Sequence, residues 1–376
     1  MNFIHLTAGS PQSPELMRLE RSAARAGLRT INISQGRGFN KTSFIDKAIL
    51  SHQFFQMGMA SPNDIIIFTD AYDVIILDHM DIIAQKFLSF GKDIVFGGEK
   101  IFWPLIKNIP NVFGINREEI YESLRQEGEG HWFINSGAYI GYASAIAKML
   151  SFCMAENQKS PVSSDQAALQ AAYFRLKSEN ENFAAIDTKA YIFANSSSFN
   201  DTFLTDGLRV FERNTECRPS VLHANGDKDI IDGANILLSL RERGAWGITL
   251  SSLVDESGTP MVYDKSISRL RKGFSNECSI IIATNSNKIS AAFTSAGEIL
   301  TFTPQGNINA TARYISGWEN IFFTERDEPY VILNEKNTCL SDFCNEVPKR
   351  LCKSPLRLFD LRKSNDALTA RLLSFL

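Results

Sequence analysis

Several things are scarce or missing in this 376-residue chain. There is no run of about 18 apolar residues, so no segment reads as a membrane-spanning helix. The N-terminus, "MNFIHLTAGSPQSPELMRLE", lacks the basic start and long apolar stretch of a secretory leader, and a cytoplasmic chain is expected. Lysine and arginine do not exceed the acidic residues. The formal charge is −3 and the pI about 6.0, which argues against a nucleic-acid partner. The six cysteines, Cys153, Cys217, Cys278, Cys339, Cys344 and Cys352, include no CxxC pair. That excludes the usual zinc-ribbon spacing and a dense disulfide framework; free thiols are expected, with Cys339–Cys344 the one pair that could bridge in an exported protein.

What is present is the composition of a soluble globular protein, 44% hydrophobic and 22% charged, long enough for two domains. Over the first 245 or so residues strand-like and helix-like segments alternate, which implies helices packed over a mostly parallel sheet. "NFIHLTA", "RTINIS", "DIVFGG" and "INSGAYIGY" read as strands. Helices are expected from Pro14 to Gly27, Thr42 to Met57, near Asp81–Phe90, over "NREEIYESLRQEG", from Ala143 to about Glu156, and over "SSDQAALQAAYFRLK". A helix over "DGANILLSLRERGAWG" would close this domain. After about Leu250 short strands separated by Asn, Ser, Gly and Pro suggest a small all-β module, with Phe293, Phe302, Tyr314, Trp318, Phe322 and Phe323 as its core. The organisation expected is 1–250, 251–348 and a tail, 349–376. The tail has seven basic residues against two acidic ones. Such a stretch can lie on the inner face of a membrane, but more commonly docks its leucines on the host domain.

The stretch carrying chemistry is residues 63–77, "NDIIIFTDAYDVIIL". Ile65 to Phe68 read as a strand buried on both faces. Asp70 and Asp73 follow at its carboxyl end, where ligands bind in open α/β sheets; the plain alternative is two turn-forming aspartates. Two carboxylates there suit a hard divalent cation beside a phosphorylated ligand. The aspartate pair of a HAD-type phosphatase is spaced by two residues, not three.

"FTDAYDVII" resembles the metal-binding signature of the glycosyltransferase domain of procollagen lysyl hydroxylases and their collagen-glycosyltransferase relatives. "FGGEKIFWP" (96–104), "WFINSGAYIGYA" (132–143) and "VLHANGDK" (221–228) are similar to further segments of that family, in the same order. "SDQAAL" and "IDTKAYIFAN" match in character. The resemblance covers about residues 1–245. It implies a GT-A fold, α/β and Rossmann-like, followed here by a small β-rich C-terminal domain. It also implies a metal-dependent hexosyltransferase that takes a UDP-sugar to a hydroxyl of a glycan or glycoconjugate.

On that resemblance Asp70, Asp73 and His223 would ligate Mn²⁺ or Mg²⁺, imidazole favouring Mn²⁺. Against it stands an ordinary half-buried histidine. Asn225, Gly226 and Lys228 would face the diphosphate, where glycine admits backbone N–H groups and lysine supplies charge. Tyr72 would pack on uracil or ribose, or simply in the core. Lys41 would sit near the nucleotide. Glu99 and the indole of Trp103 would serve the sugars, with core packing the alternative for Trp103. Asn135 would bond the donor sugar, and Asp165 would act there or cap its helix.

Two departures stand out. "SPVSSDQ" replaces the family's acidic run before its Asp-Gln pair and leaves only Asp165. Nothing after residue 245 resembles the iron-dependent hydroxylase domain of the larger members, and "HMD" (79–81) lacks a third iron ligand. A lysyl hydroxylase is therefore not expected. The competing class is a carbohydrate-binding or scaffold protein that kept the fold and lost turnover.

Overall fold

In the computed structural model the described residues are 2–34, 45–126, 130–196, 203–206, 208–225, 229–243, 245, 249–274, 277, 280–284, 290–294, 296, 298–303, 307–312, 321–323, 329–333, 336–344, 351–357 and 368. The chain forms two compact units. The first comprises residues 1–199 and 214–227, the second 200–213 and 228–376.

The first unit runs β1 (Phe3–Thr7), α1 (Pro14–Arg25), β2 (Thr30–Asn32), α2 (Ile45–Gln56), β3 (Ile65–Thr69), β4 (Val74–Ile76), α3 (Met80–Ser89) and β5 (Ile94–Glu99). A small hairpin follows, β6 (Asn111–Val112) and β7 (Ile115–Asn116), then α4 (Arg117–Leu124), β8 (Phe133–Tyr142), α5 (Ala143–Lys159), α6 (Asp165–Glu179), β9 (Ala184–Asp187) and β10 (Phe193–Asn195). Local chemistry sets the helix starts. Ser13 caps α1, its hydroxyl accepting from the Leu16 amide, with Pro14 at the first helical position. The helix closes at Ala26, and Gly27 follows it at φ +77°.

The main sheet has the order β2-β1-β3-β8-β5-β9. Three of its pairings are parallel, as alternation of strands and helices requires, whereas β8 lies antiparallel to both neighbours. Every residue of β3 is buried. The period of two divides its side chains between the two faces. Ile66 and Phe68 join Leu6, Phe96 and the apolar residues of α5 and α6, while Ile65 and Ile67 join Leu16 and Leu19 of α1 and Ile83 and Phe87 of α3. A continuous apolar run is the signature of this two-sided burial.

A second, three-stranded sheet positions the site. Here β4 pairs antiparallel with Val221–His223, which pairs parallel with β10, so that His223 stands opposite Val74. The chain leaves the large sheet at Thr69 and enters the small one at Val74. Asp70 and Asp73 occupy that crossing.

The second unit contains an antiparallel sheet of eight strands with a core including Leu253, Ile282, Leu300, Phe302, Ile308 and Phe343. Phe293 and Phe302 are buried there, while Tyr314, Trp318 and the side chains of Phe322 and Phe323 lie outside the described residues. The expected division at 250 is corrected in two places. The helix Asp229–Glu242 belongs to the second unit, and so does the hairpin Phe203–Asp206/Arg209–Glu212. The hairpin joins because Leu204 and Thr205 pair with Arg357 and Leu356.

The start of the tail, Leu351–Arg357, is a strand between Phe203–Asp206 and Thr249–Asp255. Among the described residues no helix is long and apolar enough to cross a membrane. Cys344 is buried with its Sγ toward the Leu340 carbonyl, and the side chain of Cys339 lies outside the described residues. His79 of "HMD" caps α3 with Nδ1 accepting from the Asp81 amide, which accounts for that spacing without iron.

Candidate active site

The crossing between the two sheets opens into a cavity of about 430 Å³. Its lining includes Asp70, Asp73, His223, Lys47, Glu99, Trp103, Asn135, Asp165, Gln166 and Asn225. Four carboxylates and one lysine therefore surround one space.

Asp70, Asp73 and His223 offer one ligand atom each within 4.8 Å of one another. His223 Nε2 lies 3.8 Å from Asp70 Oδ2 and 3.5 Å from Asp73 Oδ1. Two atoms about 2.2 Å from one ion and 90–120° apart are separated by roughly 3.1–3.8 Å, so the spacing fits a shared cation. The buried Nε2 has no hydrogen-bond partner. The reason is traceable. Asn195 Nδ2 donates to the Gly98 carbonyl at 2.8 Å, which turns its Oδ1 toward His223 Nδ1 at 2.7 Å. An amide oxygen only accepts, so Nδ1 carries a proton and the lone pair of a neutral ring lies on Nε2, facing two carboxylates. A cation removes that opposition, and a hydrogen bond orienting the far nitrogen is the usual support of a metal-bound histidine. Burial alone would lower the pKa of His223, but the Asp73 and Asp70 carboxylates outweigh it and raise it.

Close approach of β8 makes the cradle. A Cβ on Gly137 would lie 2.3 Å from His223 Cε1 and 2.7 Å from Asp70 Oδ2, so only glycine leaves the ligands room. Its carbonyl accepts from the Asp70 amide at 2.7 Å, fixing the first ligand to the strand.

Lys47 joins the metal group to the rest of the cavity. Its Nζ lies 2.8 Å from Asp70 Oδ1 and 3.0 Å from Asp165 Oδ2, with its side chain only 12% exposed. Burial would lower its pKa, but the Asp165 and Asp70 charges raise it, so it stays an ammonium. Asp165 is the first residue of α6 rather than its cap. Ser164 caps instead, accepting from the Ala167 amide, and this leaves the Asp165 carboxylate to Lys47 and the Gln166 amide.

Glu99 ends β5 beyond an irregularity in the β5–β8 register between Phe96 and Gly98, the kind of bulge that re-aims a side chain. Three carboxamides donate to it: Asn225 Nδ2 at 2.8 Å, Asn135 Nδ2 at 3.2 Å, and Gln166 Nε2. Burial prevails over these donors and pushes its pKa up to about 7. Trp103 is 53% exposed on the cavity rim, not in the core, while its carbonyl accepts from Gln166 and Gln170.

Of the residues expected from sequence, Asp70, Asp73, His223, Glu99, Trp103, Asn135, Asp165 and Asn225 meet at this cavity. Tyr72 does not line it; its hydroxyl accepts from the Ser10 amide at 2.8 Å. Lys41, Gly226 and Lys228 lie outside the described residues. Lys47, Gly137 and Gln166 were not expected. A signal for Lys47 exists, since Lys47, Ser51 and Phe54 fall at i, i+4 and i+7 on one helix face, and Ser51 and Phe54 are buried.

Fold and site thus define an α/β protein in which Asp70, Asp73 and His223 could hold a cation beside a polar cavity. Residues 4–232 match the model of the PLOD GT domain, the glycosyltransferase domain of that family, and the chain belongs to it. A procollagen-lysine,2-oxoglutarate 5-dioxygenase of Drosophila melanogaster is 40% identical over 92 residues, 24% of this chain and 11% of that protein. The multifunctional procollagen lysine hydroxylase and glycosyltransferase LH3 of Rattus norvegicus is 29% identical over 175 residues, 44% of this chain and 21% of that protein. The chain thus spans only a fraction of these relatives. A solved glycosyltransferase involved in glycosylation of the major capsid of PBCV-1 is similar over 60% of this chain and 94% of its own, at a TM-score of 0.36 and 9% identity. That likeness is too remote to inform the chemistry.

Proposed function

We propose that this chain is a GT-A glycosyltransferase that moves a hexose from a UDP-sugar to a hydroxyl of a glycan or glycoconjugate, with Mn²⁺ or Mg²⁺ held by Asp70, Asp73 and His223. The observation that carries it is the orphaned, buried Nε2 of His223 aimed at two carboxylates. When bound, the cation would neutralise charge on the diphosphate of the leaving UDP. The two oxygens and one nitrogen suit Mn²⁺ better than Mg²⁺.

The chain's own residues then divide the work. Asn195 keeps the His223 lone pair on Nε2. Lys47 keeps Asp70 and Asp165 at a fixed separation and adds a positive charge to the wall facing the phosphates. Buried Glu99, Asn135 and Gln166, with half-buried Asn225, form a polar set whose hydroxyl-binding capacity suits a hexose. Trp103 presents an indole face at the rim, the platform for the apolar side of a sugar ring. In this reading Asn225, Gly226 and Lys228 also meet the diphosphate.

The test is UDP release by purified protein with Mn²⁺ over a panel of UDP-sugars, beside Asp73→Ala. Metal-dependent release from one donor, lost in the variant, is the expected result. Binding of UDP and Mn²⁺ with no release from any donor, acceptors included, would instead identify a protein that kept the site and lost turnover.

A further inference from the structure

Arg117 is the largest fully buried side chain among the described residues, and the roles above do not use it. Three rules are broken at once. The guanidinium has no carboxylate within ion-pair distance among the described residues, although buried charges are ordinarily paired. It stands at the first position of α4, just after the cap Asn116, where the helix dipole disfavours a cation. Its Nε has no hydrogen-bond partner. Burial pushes its pKa down to about 10, which still leaves it charged at neutral pH. A residue that breaks several local rules is expected where function requires it.

Its contacts show what it holds. One terminal nitrogen donates to the Ile109 carbonyl at 3.1 Å, and the other to Gln170 Oε1 at 2.9 Å. The guanidinium carbon lies 4.5 Å from the centre of the Phe102 ring. The amide of Gln170 donates in turn to the Trp103 carbonyl at 3.0 Å, which Gln166 Nε2 also reaches at 3.0 Å. The polar contacts of the guanidinium and its ring contact thus lead to the loop of residues 101–109. That loop alternates. Phe102 is buried at 6%, whereas Ile101, Trp103 and Leu105 are exposed at 41%, 53% and 40%, and Ile101 and Trp103 line the cavity.

We propose that Arg117 is a positioning residue that clamps the 101–109 loop from beneath so that Ile101 and Trp103 form the acceptor side of the cavity. The assignment of an acceptor rests on the glycosyltransferase reading; the clamping of the loop does not. Guanidinium serves because its planar fork reaches two acceptors while its face lies on an aromatic ring, which an ammonium cannot do.

The test compares wild type with Arg117→Met, similar in reach but without charge or donors, and with Arg117→Lys. Three readouts are taken: hydrogen exchange, calorimetric binding of UDP with Mn²⁺, and KM and kcat for a methyl hexoside acceptor. In Arg117→Met exchange is expected to rise in peptides covering 101–109, whose Asn108 and Ile109 amides bond back to Leu105. Protection in α5 and affinity for UDP–Mn²⁺ stay within about twofold of wild type. The acceptor KM rises by about tenfold or more, the scale on which misplacement remote from the chemistry acts, with a smaller change in kcat. Arg117→Lys recovers part of the KM. Wild-type exchange in 101–109 together with a wild-type acceptor KM would overturn the proposal. So would a general rise of exchange with loss of UDP–Mn²⁺ binding, which marks a role in the fold alone. If wild type itself turns over no donor, the transferase reading fails, and the exchange data still decide whether Arg117 holds the loop.

Discussion

Gly137→Ala is the smallest change that acts directly on the proposed metal centre. The backbone there shows no positive φ, so alanine is not excluded by conformation; the obstacle is space. The new methyl would lie 2.3 Å from His223 Cε1 and 2.7 Å from Asp70 Oδ2, where ordinary contact begins at 3.4 Å. The two ligands must therefore retreat by about 1.1 and 0.7 Å, or the strand must move. The strand is the stiffer partner, since β8 is paired on both sides and the Gly137 carbonyl holds the Asp70 amide. Overpacking of this kind costs about 1–3 kcal/mol. Displacing two of three ligands should weaken Mn²⁺ by at least the 10–100-fold typical of changes in a metal's supporting residues. The assay is calorimetric titration of Mn²⁺ in the presence of UDP, beside a thermal melt. A folded Gly137→Ala protein that binds Mn²⁺ and UDP as wild type does would show that Gly137 does not shape a metal centre.

Three further outcomes are expected. Lys47→Met leaves Asp70 and Asp165 without their shared cation, which should cost about 3–5 kcal/mol of stability in metal-free protein and less with Mn²⁺; melts with and without Mn²⁺ measure the difference. Glu99 has a folded pKa of about 7 against 4.5 unfolded, so the folded state binds the extra proton between these values. Stability from this group is full below pH 4.5 and is lost as pH rises through 7, by roughly 3 kcal/mol in all. Denaturant titrations of metal-free protein from pH 4.5 to 8 should show that slope, and Glu99→Gln should lack it. Trp103→Ala removes a side chain that is 53% exposed, so the melting temperature should move little while the acceptor KM rises; an unchanged KM would remove Trp103 from the acceptor side.

The candidate ligands Asp70, Asp73 and His223 stand out through the resemblance of short motifs, each at a strand end: the aspartates after a doubly buried strand, His223 at the end of "SVLH". Lys47 does not, because it sits in mid-helix and its partners are 23 and 118 residues further on; the glycine-rich loop pointed to Lys41 instead. Gly137 and Gln166 lay inside quoted motifs, but the need for a bare Cα or a doubly donating amide arises only when β8 and α6 meet the crossing. Alternation indicated a parallel sheet and gave no sign that β8 runs against its neighbours, since strand direction depends on the route of the connections. The boundary near 250 failed for a similar reason. The hairpin at 203–212 is completed by a strand at 351–357, a pairing that no local pattern announces.

The most direct measurement is an anomalous difference map from crystals grown with Mn²⁺ and UDP. One strong peak is expected within about 2.0–2.3 Å of His223 Nε2 and of one carboxylate oxygen each from Asp70 and Asp73. UDP bound with no such peak, or a peak that leaves His223 Nε2 unligated, would contradict the proposed metal site.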